Sequence, residues 1–212
     1  MQDKSADNFY DIYWTKRNDK SNRYRYKIFL SWIKDGSRVL DIGSGDGYLG
    51  ALLKNNKNCD VTCLDISEVA LDRAKNKGLN TVLANIEESL PFEDNAFDYV
   101  IASEVIEHIA HSERLLTEMK RISRNFLLVS IPNTAFWKYR LQLLGGKFPK
   151  QWAFEPYEHL RYWSVSDFKR TLSLLALSAD EIRAGSGRRY LRDIWPSLFA
   201  EQVCFKISKS DV

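Results

Sequence analysis

The segment Arg38-Val-Leu-Asp-Ile-Gly-Ser-Gly-Asp-Gly-Tyr-Leu-Gly50 constrains this chain more than any other. Residues 39–42 form a short apolar run of the kind that becomes a fully buried strand. Gly43, Gly45 and Gly47 follow at once, and 48–53 then reads as a helix. A glycine turn between strand and helix lets a ligand approach bare backbone N–H groups at the helix N-terminus.

The spacing narrows the ligand. A dinucleotide fingerprint, G-x-G-x-x-G, would need glycine at 48, where this chain has Tyr48. The observed spacing is G-x-G-x-G, and Asp41 stands at the end of the strand, just before the turn. A carboxylate there repels a pyrophosphate and favours a cation. That points away from NAD and toward S-adenosylmethionine, whose sulfonium and amino groups are both positive.

The next units repeat the strand–helix rhythm. Residues 60–64 read as a second strand with Asp65 at its carboxyl end, 24 residues after Asp41. In open α/β sheets ligands sit at that end, and an acid there takes ribose hydroxyls. The competing role is helix capping, because Ser67 and Glu68 open a helix through 77 that Gly78 closes. A third strand over 81–84 is followed by Asn85, whose amide would either meet adenine or form a turn. With a loop through 90–98 and a fourth strand over 99–103, the alternation β-α-β-α-β-α-β implies a parallel sheet covered on both faces. Upstream, Phe9, Tyr10, Tyr13 and Trp14 form one sticky helical stripe, either packed on the core edge or serving as a lid. Tyr26, Phe29, Leu30 and Ile33 then place a helix over 24–34, ended by Asp35-Gly36.

With 212 residues, one domain with a small insertion is expected. Its parts are a helical cap (1–35), a cofactor-binding core (36–131), an acceptor-side insertion (132–163) and a final helix with strands (164–212). A net charge of +3 is too mild to argue for nucleic acid. Cys59, Cys63 and Cys204 are too few for a disulfide framework, which suggests a reducing setting. The first twenty residues lack the apolar stretch of a signal peptide, and no run is long enough to span a membrane, so a cytoplasmic protein is expected.

These residues resemble the class I S-adenosylmethionine-dependent methyltransferases, of the type 11/12 group. The resemblance rests on Val39-Leu-Asp-Ile-Gly-Ser-Gly-Asp-Gly47, Asp65 after a strand, Leu90-Pro-Phe with Phe97-Asp-Tyr-Val100, and Glu104-Val-Ile-Glu-His-Ile109. It implies a Rossmann-like α/β fold, with a mostly parallel seven-stranded sheet and a reversed last strand, the strands over 178–184 and 202–207 completing it. By the same resemblance Asp41, Gly43, Ser44 and Gly45 line the methionine part of S-adenosylmethionine. Asp65 and Ile66 serve the ribose, Asn85 and Ile86 flank adenine, and Ser103 borders the methyl group; many members have Asp where this chain has Asn85. S-adenosylhomocysteine is the implied product.

Two narrower resemblances compete. Ile131-Pro-Asn, Trp137, Arg140 through Pro149, His159, Asp167-Phe168 and Leu198-Phe-Ala-Glu-Gln-Val203 are similar to the MetW-like methionine-biosynthesis proteins. Those are associated with homoserine acylation, which implies an acyltransferase as protein partner. Glu104, Glu107, His108 and His159 match the E-x-x-E-H segment and later histidine of metal-assisted O-methyltransferases, whose acceptors include RNA and catechol-like rings.

Methyl transfer to a hydroxyl needs an in-line approach and a base for the proton. His is the natural base, so His108 and His159 are the candidates, with Glu104 and Glu107 orienting the base or holding a metal. His111 starts the helix over 112–123 and is expected in solvent. No metal is assigned, the alternative being that one glutamate caps the next helix and the other is solvated; Glu104, Glu107, His108 and His159 are the candidate ligands should a divalent ion bind. The insertion carries Phe136, Trp137, Tyr139, Phe148, Trp152, Phe154 and Tyr157 with Lys138, Arg140, Lys147 and Lys150. Such a segment suits a small-molecule acceptor or simply caps the sheet, and RNA is the minority reading. Ser164, with Asp167 three residues on, should cap a helix over 165–176. Arg183, Arg188, Arg189 and Arg192 are expected in a loop near Gly185 and Gly187. The expected activity is O-methylation of a small acceptor, with a MetW-like partner role as the alternative.

Overall fold

The first strand, β1 (Arg38–Ile42), is buried along all but its first residue and lies inside a seven-stranded sheet. The computed structural model describes residues 4–16, 24–149 and 159–209. Parallel to β1 run β2 (Asp60–Asp65), β3 (Asn80–Leu83), β4 (Phe97–Ser103) and β5 (Ser123–Pro132). The edge beyond β5 is made by β6 (Leu177–Gly187) and β7 (Ala200–Lys209). The order is β3-β2-β1-β4-β5-β7-β6, with β7 antiparallel to both neighbours. This is the Rossmann-like sheet with a reversed last strand.

Alternation along each strand divides the core into two layers. Leu40, Ile42, Leu64, Val100 and Ala102 face α5 (Ser112–Ile122) and α7 (Val165–Leu174). Val39, Val61, Cys63, Tyr99 and Ile101 face α2 (Tyr24–Trp32), α3 (Tyr48–Lys57) and α4 (Glu68–Lys75). Helix α1 (Lys4–Lys16) lies against α4. The box at Ser164 and Asp167 forms at the start of α7 as the spacing predicts. A short helix, α6 (Trp137–Leu144), opens the insertion, whose base is fixed where Thr134 N–H donates to the Trp163 carbonyl at 2.9 Å.

Two expectations change. The alternation placed a helix between the third and fourth strands; residues 84–96 are turns instead. Pro91 interrupts the segment, and Arg121 pins it, donating to the Phe92 carbonyl at 2.8 Å while pairing with Asp94 and Glu118. The arginine-rich stretch is not simply a loop. Arg183 and the two glycines lie within β6, and the short turns α8 (Leu191–Ile194) and α9 (Pro196–Phe199) follow. The Arg192 guanidinium stacks 4.5 Å from the Tyr24 ring centroid. No helix among the described residues is long and apolar enough to cross a membrane.

Candidate functional site

The glycine turn joins β1 to α3 with left-handed backbone at Gly43, Gly45 and Gly47. At Gly45 the requirement is twofold: φ is +54°, and a Cβ would run into the Trp14 ring. Helix α1 thus lies over the turn, and Asp11 Oδ1 accepts hydrogen bonds from Ser67 Oγ at 2.5 Å and Val69 N–H at 3.3 Å. Ser44 N–H donates to the Leu64 carbonyl at 3.1 Å, tying the turn to β2.

Asp65 reaches back into this turn. Its Oδ2 accepts the Gly45 N–H at 2.8 Å and its Oδ1 the Ser67 N–H at 3.0 Å. Ser67, not Asp65, caps α4, taking the Ala70 N–H on its hydroxyl. Burial raises the Asp65 pKa, and the N–H groups of Ser67 and Gly45 pull it back. Asp41 is buried close by. Desolvation and the Asp65 charge push its pKa up to about 7, against an opposing pull from Arg25.

Arg25 is the residue that the sequence reading missed. It is 4% exposed, and its Nε donates to Ser103 Oγ at 2.9 Å. The signal was present: Arg25 shares a helical stripe with Ile28, Phe29 and Trp32, the other buried residues of α2. A cation on an apolar stripe has to be buried against an acceptor or an opposite charge. Ser103 is therefore already engaged. Asn85 Oδ1 accepts the Glu87 N–H at 3.0 Å, a turn-forming bond, and Ile86, beyond β3, packs on the core.

Beyond β4 the chain bends sharply. Glu104 has φ +58°, strained for a non-glycine residue, and its Oε2 accepts from Gln202 Nε2 at 2.7 Å. A 3₁₀ turn, Ile106–His108, follows. The Glu107 carbonyl accepts the N–H groups of Leu160 at 2.8 Å and Arg161 at 3.0 Å, and Arg161 Nε donates to the Ala110 carbonyl at 2.8 Å. This clamp brings His159 to His108, ring centroids 4.9 Å apart and edge to face. Donor atoms of Glu107, His108 and His159 lie within 4.8 Å of one another. Glu104 is not in that group. Burial and the Glu104 charge raise the Glu107 pKa. Burial, then His108, lowers that of His159 to about 4. His111 is exposed. In the insertion, Tyr139 Oη donates to Glu201 Oε1 at 2.9 Å and Phe148 packs on Tyr162. Lys150, Trp152, Phe154 and Tyr157 lie outside the described residues.

A glycine turn and an acid at the ends of adjacent strands, on this strand order, define the class I S-adenosylmethionine-dependent methyltransferase fold. Magnesium protoporphyrin IX methyltransferase from Synechocystis, solved with bound S-adenosylhomocysteine, has the same fold: TM-score 0.71, 16% identity, 98% of this chain and all of that one covered. The chain belongs to the family described as methionine biosynthesis protein MetW, whose model matches residues 23–207. A bifunctional methionine biosynthesis protein MetXA/MetW from Rhodopirellula baltica is 26% identical over 72% of this chain and 27% of its own length. A ubiquinone/menaquinone biosynthesis C-methyltransferase from Stenotrophomonas maltophilia is 35% identical over 46% of this chain and 42% of its own. The match thus spans less than half the length of each of these two curated relatives.

Proposed function

We propose that this chain binds S-adenosylmethionine at the ends of β1 and β2 and transfers its methyl group to a hydroxyl oxygen of a small acceptor. The observation that carries this reading is the Asp65 carboxylate. It accepts one N–H on each oxygen, and a carboxylate has about four acceptor positions. The remaining positions are open to ribose hydroxyls, beside a glycine turn that the Trp14 ring of α1 overlies. The residues therefore fit the cofactor. Asp41 offers charge to the ligand's cationic end, and Asn85 and Ile86 stand at the end of β3, where adenine would lie. The cofactor supplies an electrophilic methyl group on a sulfonium. Ser103, held by Arg25, borders the path to the acceptor. His108 takes the acceptor's proton, and Glu107 sets the orientation of the imidazole pair; His159, with its depressed pKa, is the weaker base. The described parts of the insertion, 132–149 and 159–163, would border the acceptor side.

The test is release of S-adenosylhomocysteine from S-adenosylmethionine in the presence of a panel of hydroxyl-bearing small molecules. Acceptor-dependent release, abolished by His108→Ala with cofactor affinity retained, is the expected result. Turnover retained in both His108→Ala and His159→Ala refutes the base assignment.

The match to MetW supports a second reading. The chain would serve methionine biosynthesis as partner of an acyltransferase acting on homoserine, with little methyl transfer of its own. Copurification with that acyltransferase, and a change in its rate when this chain is added, separates the two readings.

A further inference from the structure

We propose that Glu107, His108 and His159 form a binding site for one divalent transition-metal ion. Three observations support it. Their donor atoms are mutually within 4.8 Å. Tetrahedral coordination at about 2.0–2.2 Å sets donors about 3.3–3.6 Å apart, so side-chain rotation has to close the widest pair by up to about 1.5 Å. Next, Glu107 Oε2 and His159 Nδ1 are both buried without a hydrogen-bond partner among the described residues, in residues only 1% and 8% exposed. Orphaned buried polar atoms cost about 1–3 kcal/mol each, and two in one cluster call for a shared ligand. Finally, the cluster is preorganised. The bonds from Leu160 and Arg161 to the Glu107 carbonyl fix a loop residue, His159, against a turn some fifty positions earlier.

The donor set indicates the ion. Two imidazoles and one carboxylate suit Zn²⁺, Mn²⁺, Fe²⁺ or Co²⁺ better than Mg²⁺ or Ca²⁺, which prefer oxygen throughout. Three protein ligands leave coordination positions open, the pattern of a reactive rather than a purely structural site. With an ion bound, His108 is a ligand and water replaces it as the acceptor of the proton. Resting on the methyl-transfer reading, an open position would hold the acceptor hydroxyl and lower its pKa.

The experiment titrates tag-free, chelator-treated chain with Co²⁺, read by its visible ligand-field band, and with Zn²⁺ by calorimetry. One ion per chain is expected. His159→Ala and His108→Ala should each weaken binding by about 100-fold or more. Glu107→Gln, which keeps the side chain's shape, should weaken it at least about tenfold. His111→Ala, outside the cluster, should leave it unchanged. Denaturant unfolding of each variant confirms that it folds. Absence of a Co²⁺ band in the parent chain, or unchanged affinity in both histidine variants, overturns the proposal. Cofactor binding is measured on the same metal-free samples. Metal binding without cofactor binding therefore removes the methyl-transfer reading and leaves the ion site, and the reverse result removes the ion site alone.

Discussion

Replacing Asp41 by Asn should make the ligand-free protein more stable and the ligand bind less well. The folded pKa is about 7 against an ordinary value of 3.8. Between about pH 4 and 7 the folded chain holds a proton that the unfolded chain has lost. Stability therefore falls as pH rises through that window and levels off above it. At 1.36 kcal/mol per pKa unit the full excursion is about 4 kcal/mol, an upper bound for a group whose surroundings can relax. Asn does not titrate. Parent and variant should be about equally stable near pH 4, and the variant ahead by about 2–4 kcal/mol at pH 8. Urea unfolding of ligand-free protein at several pH values reads this directly. A cationic ligand recruits the charged form of Asp41, so binding near pH 6 should release a proton. Calorimetry in buffers of different ionisation heat detects that release, and the variant should lack it. A stability difference independent of pH would refute the reasoning.

Other residues give independent tests. Asp65→Asn should lower S-adenosylmethionine affinity by about 10- to 100-fold, since charge-assisted hydrogen bonds are worth about 1.5–3 kcal/mol; unchanged affinity in calorimetry would remove Asp65 from the site. Arg25→Met should destabilise by about 3–5 kcal/mol in urea unfolding, because it strips the buried carboxylates of a neighbouring cation. Phe168, fully buried between Trp163 and Phe205, should cost about 3–5 kcal/mol on truncation to Ala. Ser164→Ala should cost about 1 kcal/mol through loss of the capping box on α7.

The sheet was legible because buried parallel strands are short apolar runs and their glycine turns are local. β1, β2 and β4 sit within a residue or two of where the apolar runs place them. Residues 90–96 read as a loop and are one; the helix that the alternation added between the third and fourth strands does not form, because alternation is a rule about topology, while Pro91 and the side chain of Arg121, far along the chain, decide the local conformation. The site divides in the same way. The bond from Gly45 to Asp65 follows from two adjacent strand ends, which sequence spacing encodes. The approach of His159 to His108 depends on a clamp between residues some fifty positions apart, so sequence could name the histidines without placing them. Arg25 lies off the Tyr26, Phe29, Leu30, Ile33 pattern that marks the helix, although its place on the buried stripe with Ile28, Phe29 and Trp32 signals it.

The central claim is that the turn from Gly43 to Gly47 and the Asp65 carboxylate hold a nucleoside cofactor. Calorimetric titration of the chain with S-adenosylmethionine, and separately with S-adenosylhomocysteine, tests it most directly. Saturable binding of both at one per chain, lost in Asp65→Ala, is the predicted result. No heat and no saturation with either compound would contradict it, and the partner role in methionine biosynthesis would then be the better reading of this fold.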